Sequence, residues 1–227
     1  MVVDLRARPS TGWQTPAHWR APTDWRTPAA WSLATFVLVG LAMAFADRPI
    51  ANFSHAVLHR PVWAGILTKI AIPAPPLVVI ALVGLLSVGA TWSMDRHLTR
   101  GWRTVLAASC ATLFAIFAVF ALKYVFGRMW PDTWVENNPS WIHDHKFGFL
   151  PFHGGAGYES FPSGHTTRIT APFAVLWQRL PRFRLLWVVP PLLVTAGLLA
   201  ADFHWFSDCL AGIWLGAACA WVVLNFV

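Results

Sequence analysis

Six apolar segments constrain this chain more than any other feature. They lie near residues 31 to 46, 74 to 94, 104 to 122, 164 to 179, 185 to 201 and 208 to 226, several of them shorter than the ~20 residues of a full span. A chain of 227 residues that is 56% hydrophobic and 12% charged, with a mean hydropathy of +0.52, falls in the membrane class. The expected fold is all-α: a polytopic membrane protein of six transmembrane helices with a helical bundle core. Fifteen Trp and 16 Phe against two Tyr agree with that, because Trp tolerates the half-wet headgroup layer.

Charge gives the orientation. The net charge of +7 is not spread along a continuous basic face, which argues against nucleic acid as a partner and for a bilayer charge bias. Arg6, Arg8, Arg20 and Arg26 lie in the tail, Arg96, Arg100 and Arg103 in one connection, and Arg179, Arg182 and Arg184 in another. These are alternate connections, so the positive-inside rule puts them and the N-terminus in the cytoplasm. Residues 47 to 73, residues 123 to 163 and the turn DFHWFS then face outward. The expected location is a bacterial inner membrane, with membrane lipids as the surroundings.

The expected domains are a tail over residues 1–30 and a membrane domain over 31–227. In the tail, Trp13, Trp19, Trp25 and Trp31 recur every six residues, with Pro16, Pro22 and Pro28 between them. Prolines at that density exclude a continuous helix. A basic arm lying on the inner leaflet and a disordered tail with chance periodicity both fit. After the first apolar run, Ala44 and Ala46 imitate a signal-peptidase site, but the long Pro-rich leader argues against cleavage. Cys110, Cys209 and Cys219 are odd in number and lack CxxC spacing, so they read as small buried residues.

The outward ends of segments three to six carry the chemistry. They hold KYVFGRMWP with Lys123 and Arg128, FPSGHTTR with Ser163, Gly164, His165 and Arg168, and HWFSD with His204 and Asp208. Ionisable groups at membrane depth are costly and tend to be functional. A Gly-containing turn entering a helix presents backbone N–H groups and a positive dipole end to an anion. Two imidazoles, a carboxylate and three cations suit phosphoryl transfer, in which one imidazole attacks phosphorus and the other protonates the leaving oxygen. The arrangement requires no metal or other cofactor.

The order Lys, Arg-x-x-Pro, Pro-Ser-Gly-His and His-x-x-x-Asp resembles the type 2 phosphatidic acid phosphatase superfamily over roughly residues 31 to 227. The resemblance implies a metal-independent membrane phosphatase. Its site would lie at the outer face and work through a phosphohistidine, with a lipid phosphate or diphosphate as substrate. It gives His204 as nucleophile, Asp208 as its orienting carboxylate and His165 as general acid, with Ser163, Gly164 and Lys123 on the phosphate. Two positions depart from the family pattern. Trp130 stands before Pro131 where an arginine is usual, and Gly197 and Leu198 stand where Ser-Arg precedes the nucleophile. A variant phosphate cradle of Lys123, Arg128 and Arg168 is the expected compensation, although Arg168 could instead reach toward outer headgroups. A lipid phosphotransferase and a non-catalytic headgroup-binding relative are the competing readings.

The outer loop over residues 132 to 162 contains His143, Asp144 and His145. Their spacing allows metal ligation only weakly, and a lid rich in Trp and Phe is the favoured reading. Glu159, close to the PSGH turn, is left without a role.

Overall fold

The first apolar segment does not stop at residue 46. In this computed structural model, which describes residues 26–71, 74–93, 98–134 and 137–227, it continues as one helical rod over Arg26–Leu58. The rod consists of α1 (Arg26–Leu41), a wide π turn at Ala42–Ala46, α2 (Asp47–Phe53) and a second π turn at Ser54–Leu58. Its 33 residues measure about 50 Å, more than the ~30 Å hydrocarbon layer. The tail to residue 25, with most of its Trp repeat, and Arg96 lie outside the described residues.

The connection expected over residues 47 to 73 is therefore mostly helical. After α2 and its π turn comes α3 (Val62–Ala71), which packs on α8 (Arg184–Ala200). The two helices approach closely at Gly197, where a Cβ would come within 2.6 Å of the Leu67 side chain. Leu198 is fully buried beside Ile169, Val194 and Cys209. Apolar packing thus fills the positions where the family pattern has Ser-Arg.

The core is formed by α5 (Arg100–Phe126), α7 (Gly164–Arg179) and α9 (Phe206–Leu224), with α4 (Ala74–Ser93) against α5 and α1 against α9. Ala107, Ala111, Ala115 and Val119 of α5 meet Ala171 and Val175 of α7 and Leu215 and Cys219 of α9. Within each helix these residues recur every four positions, the spacing of one helix face. Small residues let the helices approach where lipid supplies no hydrophobic drive. On α9, a Cβ at Gly212 would fall 2.0 Å from Thr166 Oγ1 and 2.6 Å from the Ser163 carbonyl oxygen. One at Gly216 would fall 2.6 Å from the Thr167 carbonyl oxygen. This Gly-x-x-x-Gly edge seats the PSGH turn directly on α9.

Four of the described helical stretches are long and apolar enough to cross a bilayer: Arg26–Leu58, Arg100–Phe126, Pro181–Ala200 and Phe206–Leu224. With 16 residues and a face of Thr166, Thr167 and Thr170, α7 is shorter and more polar, and it is enclosed by α5, α8 and α9. Side chains such as Leu86, Phe117 and Leu185 point away from the protein and are largely exposed, as a lipid-facing surface requires. The cysteines are free, Cys209 and Cys219 buried and Cys110 partly so.

No strand occurs among the described residues. Among its described residues, the loop between α5 and α7 contains only a one-turn helix, α6 (Trp141–Asp144), and a 3-10 turn at Ala156–Tyr158. It is fastened by backbone bonds from Leu150 N to the Gly127 oxygen (2.7 Å) and from Ser160 N to the Arg128 oxygen (3.1 Å).

Candidate active site

Lys123 near the C-terminus of α5, the start of α7 and the start of α9 meet at one end of the bundle. The basic residues Arg103 and Arg179 lie close together at the other. Chain direction alone produces this, because α5 ends where α7 and α9 begin.

The centre is His204, in the turn between α8 and α9 and 3% exposed. Its Nδ1 lies 3.3 Å from Asp208 Oδ2, the one-turn spacing read from HWFSD. Its Nε2 is buried and has no hydrogen-bond partner. Burial holds the imidazole below its ordinary pKa near 6.5, with the bond and charge of Asp208 opposing that shift. A neutral imidazole with Nδ1–H on a carboxylate leaves a lone pair on Nε2, the form a nucleophile needs. The ring of His165, first turn of α7, stands 5.8 Å away centroid to centroid.

Asp208 is also the third residue of α9, and its Oδ2 accepts the Trp205 N–H (3.1 Å) and the Ser160 hydroxyl (2.5 Å). Its Oδ1 accepts a hydrogen bond from Arg128 Nη1. The carboxylate is therefore held from four sides and cannot turn away from His204.

Arg128 does not join the phosphate cradle in this structure. It is fully buried, with Nη1 on Asp208 and on the Ser207 hydroxyl (2.7 Å) and Nη2 on Asp47 Oδ2 (2.7 Å). The rings of Phe147, Phe149, Phe161 and Trp205 surround it with centroids 5.0–5.8 Å from Cζ. A buried guanidinium needs counter-charge, and here two carboxylates supply it in place of the phosphate expected from the sequence.

The remaining cations sit nearer the imidazoles. Lys123 lies 3.7 Å from Glu159 Oε2, which gives that carboxylate a partner, and 5.7 Å from the Trp130 ring. Trp130 in turn lies 5.0 Å from the His204 ring, so one indole neighbours both the lysine and the imidazole. Arg168 folds back toward the PSGH turn: its Nη2 is 3.5 Å from where a Gly164 Cβ would be, and its buried Nε has no partner. Ser163 is fully buried and caps α7, its hydroxyl accepting from Thr166 N at 3.4 Å while its own N–H donates to the Asp208 carbonyl (3.1 Å). The Gly164 amide opens the helix, where no intrahelical acceptor exists.

A second ionic cluster lies beside this site, toward the loop between α5 and α7. His55, Asp132 and Asp202 offer ligand atoms at metal-compatible spacing, and His143 Nε2 is 2.9 Å from Asp132 Oδ1. Arg60 already pairs with both carboxylates, at 3.4 Å to Asp202 Oδ2 and in contact with Asp132, so a cation fills the position between them. Of the His-Asp-His run, His143 joins this cluster, whereas Asp144 accepts from Ser140 N at 2.9 Å to cap its own short turn.

Sequence reasoning missed Asp47, Ser160 and Ser207. Asp47 did carry a signal, as a carboxylate one residue beyond an apolar run, but AFADRP was read for its alanines.

Known proteins resemble this chain in sequence and in fold. The family model of the PAP2 superfamily matches residues 104–227. A lipid A 1-phosphatase from Rhizobium johnstonii is 35% identical over 97 residues, covering 42% of this chain and 36% of that protein. One from Rhizobium etli is 35% identical over 96 residues, covering 42% and 38%. Each alignment thus spans little more than a third of the relative's length. A PAP2-type phosphatidylglycerolphosphate phosphatase from Bacillus subtilis superposes with a TM-score of 0.52 at 21% identity, over 88% of this chain and 94% of that one. The family match takes in more than half of the sequence, including every position of the His204, His165 and Lys123 site, and the chain belongs to the PAP2 superfamily.

Proposed function

We propose that this protein is an integral membrane phosphatase that hydrolyses a lipid phosphate monoester or diphosphate through a phosphohistidine on His204. The observation that carries the reading is the state of His204: buried, fixed through Nδ1 to Asp208, and presenting an unpartnered Nε2 next to His165.

In this mechanism Nε2 forms a bond to phosphorus while the bond to the leaving lipid oxygen breaks. That oxygen takes a proton from His165. The Nδ1 proton stays on the imidazole, donated to Asp208, whose charge stabilises the cation that forms. Water then gives a proton to His165 and attacks the phosphohistidine, releasing inorganic phosphate and restoring neutral His204. Lys123, Arg168 and the amide of Gly164 carry the phosphoryl oxygens, with no metal taking part. Neutralisation by positioned cations is the main demand of phosphoryl transfer.

The reading includes six membrane crossings, with α4 and α7 joining the four long apolar helices. The N-terminus is cytoplasmic and the site lies at the outer face of a bacterial inner membrane. Clustering of Arg103 and Arg179 at the opposite end supports that orientation. Similarity to two lipid A 1-phosphatases makes a lipid A 1-phosphate the first substrate to test.

The test is inorganic phosphate release by purified protein in detergent from lipid A 1-phosphate, phosphatidic acid, phosphatidylglycerophosphate and a polyprenyl diphosphate, beside His204→Ala. Release from at least one lipid by the wild type and none by the variant is expected. Equal absence of release from all four would refute the reading.

A further inference from the structure

The residues behind the nucleophile come from opposite ends of the chain. Asp47, on the N-terminal helix and 1% exposed, accepts the Ser207 N–H at Oδ1 (2.9 Å). Its Oδ2 accepts the Ser207 hydroxyl (2.6 Å) and Arg128 Nη2 (2.7 Å). Arg128 in turn holds Asp208, and Asp208 holds His204. We propose that Asp47 is a positioning residue for the nucleophile, fixing through Arg128 the carboxylate that orients His204, so that the N-terminal helix forms part of the active site. This rests on the phosphatase reading above.

Three observations carry it. The first is register. The buried positions of the rod are Val39, Ala42, Asp47, Ala51 and Ser54, spaced three, five, four and three residues apart. The five-residue step coincides with the π turn at Ala42–Ala46. Regular α spacing would turn residues 45 or 46 inward, yet Phe45 is 74% exposed. The π turn therefore rotates Asp47 onto the protein-facing side, and such insertions concentrate at functional sites.

The second is charge. Asp47, Arg128 and Asp208 are all buried, and with both carboxylates ionised they together carry one net negative charge. When His204 becomes cationic on forming its phosphoryl bond, the four groups sum to zero. With Asp47 neutral, the Arg128 and Asp208 pair would already balance, and the imidazolium would lack a counter-charge. From the other elements His204 faces Lys123 on α5, which is already paired with Glu159, and His165 on α7, whose charged form is also a cation.

The third is geometry. Arg128 has five donors in a fixed fork, and its two terminal nitrogens are divided between two carboxylates. Loss of the Asp47 charge frees one side of the fork, so the guanidinium can rotate and take Asp208 with it.

The test uses the full chain in detergent with Asp47→Asn, which keeps an oxygen for the Ser207 N–H, and Asp47→Glu, which keeps the charge. Phosphate release gives kcat and KM, and an NMR titration of the histidine side chains, assigned against His204→Gln, gives the His204 midpoint without substrate. Asp47→Asn should lower kcat by about 10- to 100-fold, as for outer groups that orient a ligand. KM should stay within about threefold, and the His204 midpoint should move about one pH unit toward acid, as expected on losing a nearby opposite charge. Asp47→Glu should return the midpoint toward wild type. Wild-type kcat in Asp47→Asn, or an unshifted midpoint accompanied by parallel losses of kcat and melting temperature, would overturn the proposal. A wild-type protein that releases no phosphate would refute the phosphatase reading alone, because the NMR midpoint would still decide the role of Asp47.

Discussion

Replacing Arg128 by methionine separates its two possible roles. Arg128 is fully buried between Asp47 and Asp208, and methionine matches its stem while removing the guanidinium. Two carboxylates would then face each other across an apolar box of four rings. Breaking a buried ion pair by removing one partner costs about 3–5 kcal/mol, because the remaining charge is left uncompensated. For a chain of 227 residues, at ~2–4 °C per kcal/mol, the melting temperature in detergent should fall by roughly 6–20 °C. Adding Asp47→Asn to Arg128→Met should recover part of that loss, since it removes one of the stranded charges. Differential scanning fluorimetry of the four proteins makes the comparison. An Arg128→Met protein with wild-type melting but weakened vanadate inhibition would refute this account, because a phosphate ligand predicts that pattern.

Other substitutions probe the cradle and the frame. Lys123→Ala and Arg168→Ala should each weaken vanadate inhibition by at least about tenfold, the loss of one charge-assisted contact; unchanged inhibition in Arg168→Ala would assign that side chain to the headgroups instead. Gly212→Leu should push the PSGH turn off α9, where even a Cβ overlaps Thr166 and Ser163, and reduce both folded yield and kcat. With His204 held below its ordinary pKa, the acid limb of kcat/KM should lie below pH 6.5, read from a pH profile of phosphate release. The same depression makes the His204 contribution to stability complete above about pH 6.5. That contribution is lost as pH falls through the lower folded value, so melting temperature should decline on that side.

The parts of the site that sequence made legible are those encoded by local period. His204 and Asp208 are one helical turn apart, and PSGH opens a helix at the adjoining position, so facing geometry followed from spacing. The common end of the bundle followed from counting segments and arginines. Depth was not legible. Arg128 and Arg168 both read as members of the phosphate cradle, and only packing reveals that Arg128 lies behind the carboxylate while Arg168 folds over the turn. Asp47 and Ser207 meet across a sequence separation of 160 residues, and a π turn, which has no sequence signature here, brings them together. The ten-residue α3 was absorbed into a connection because it is too short to resemble a span, although Ala64 and Gly197 show that it packs on α8.

The central claim is that the His204 imidazole attacks phosphorus. Rapid quenching of the full-length protein during turnover of a lipid radiolabelled in its phosphate tests it most directly, followed by peptide mapping under alkaline conditions. The account predicts an acid-labile, alkali-stable phosphoryl group on the peptide bearing His204, absent in His204→Ala. Turnover with no labelled protein, or label retained in His204→Ala, would contradict it.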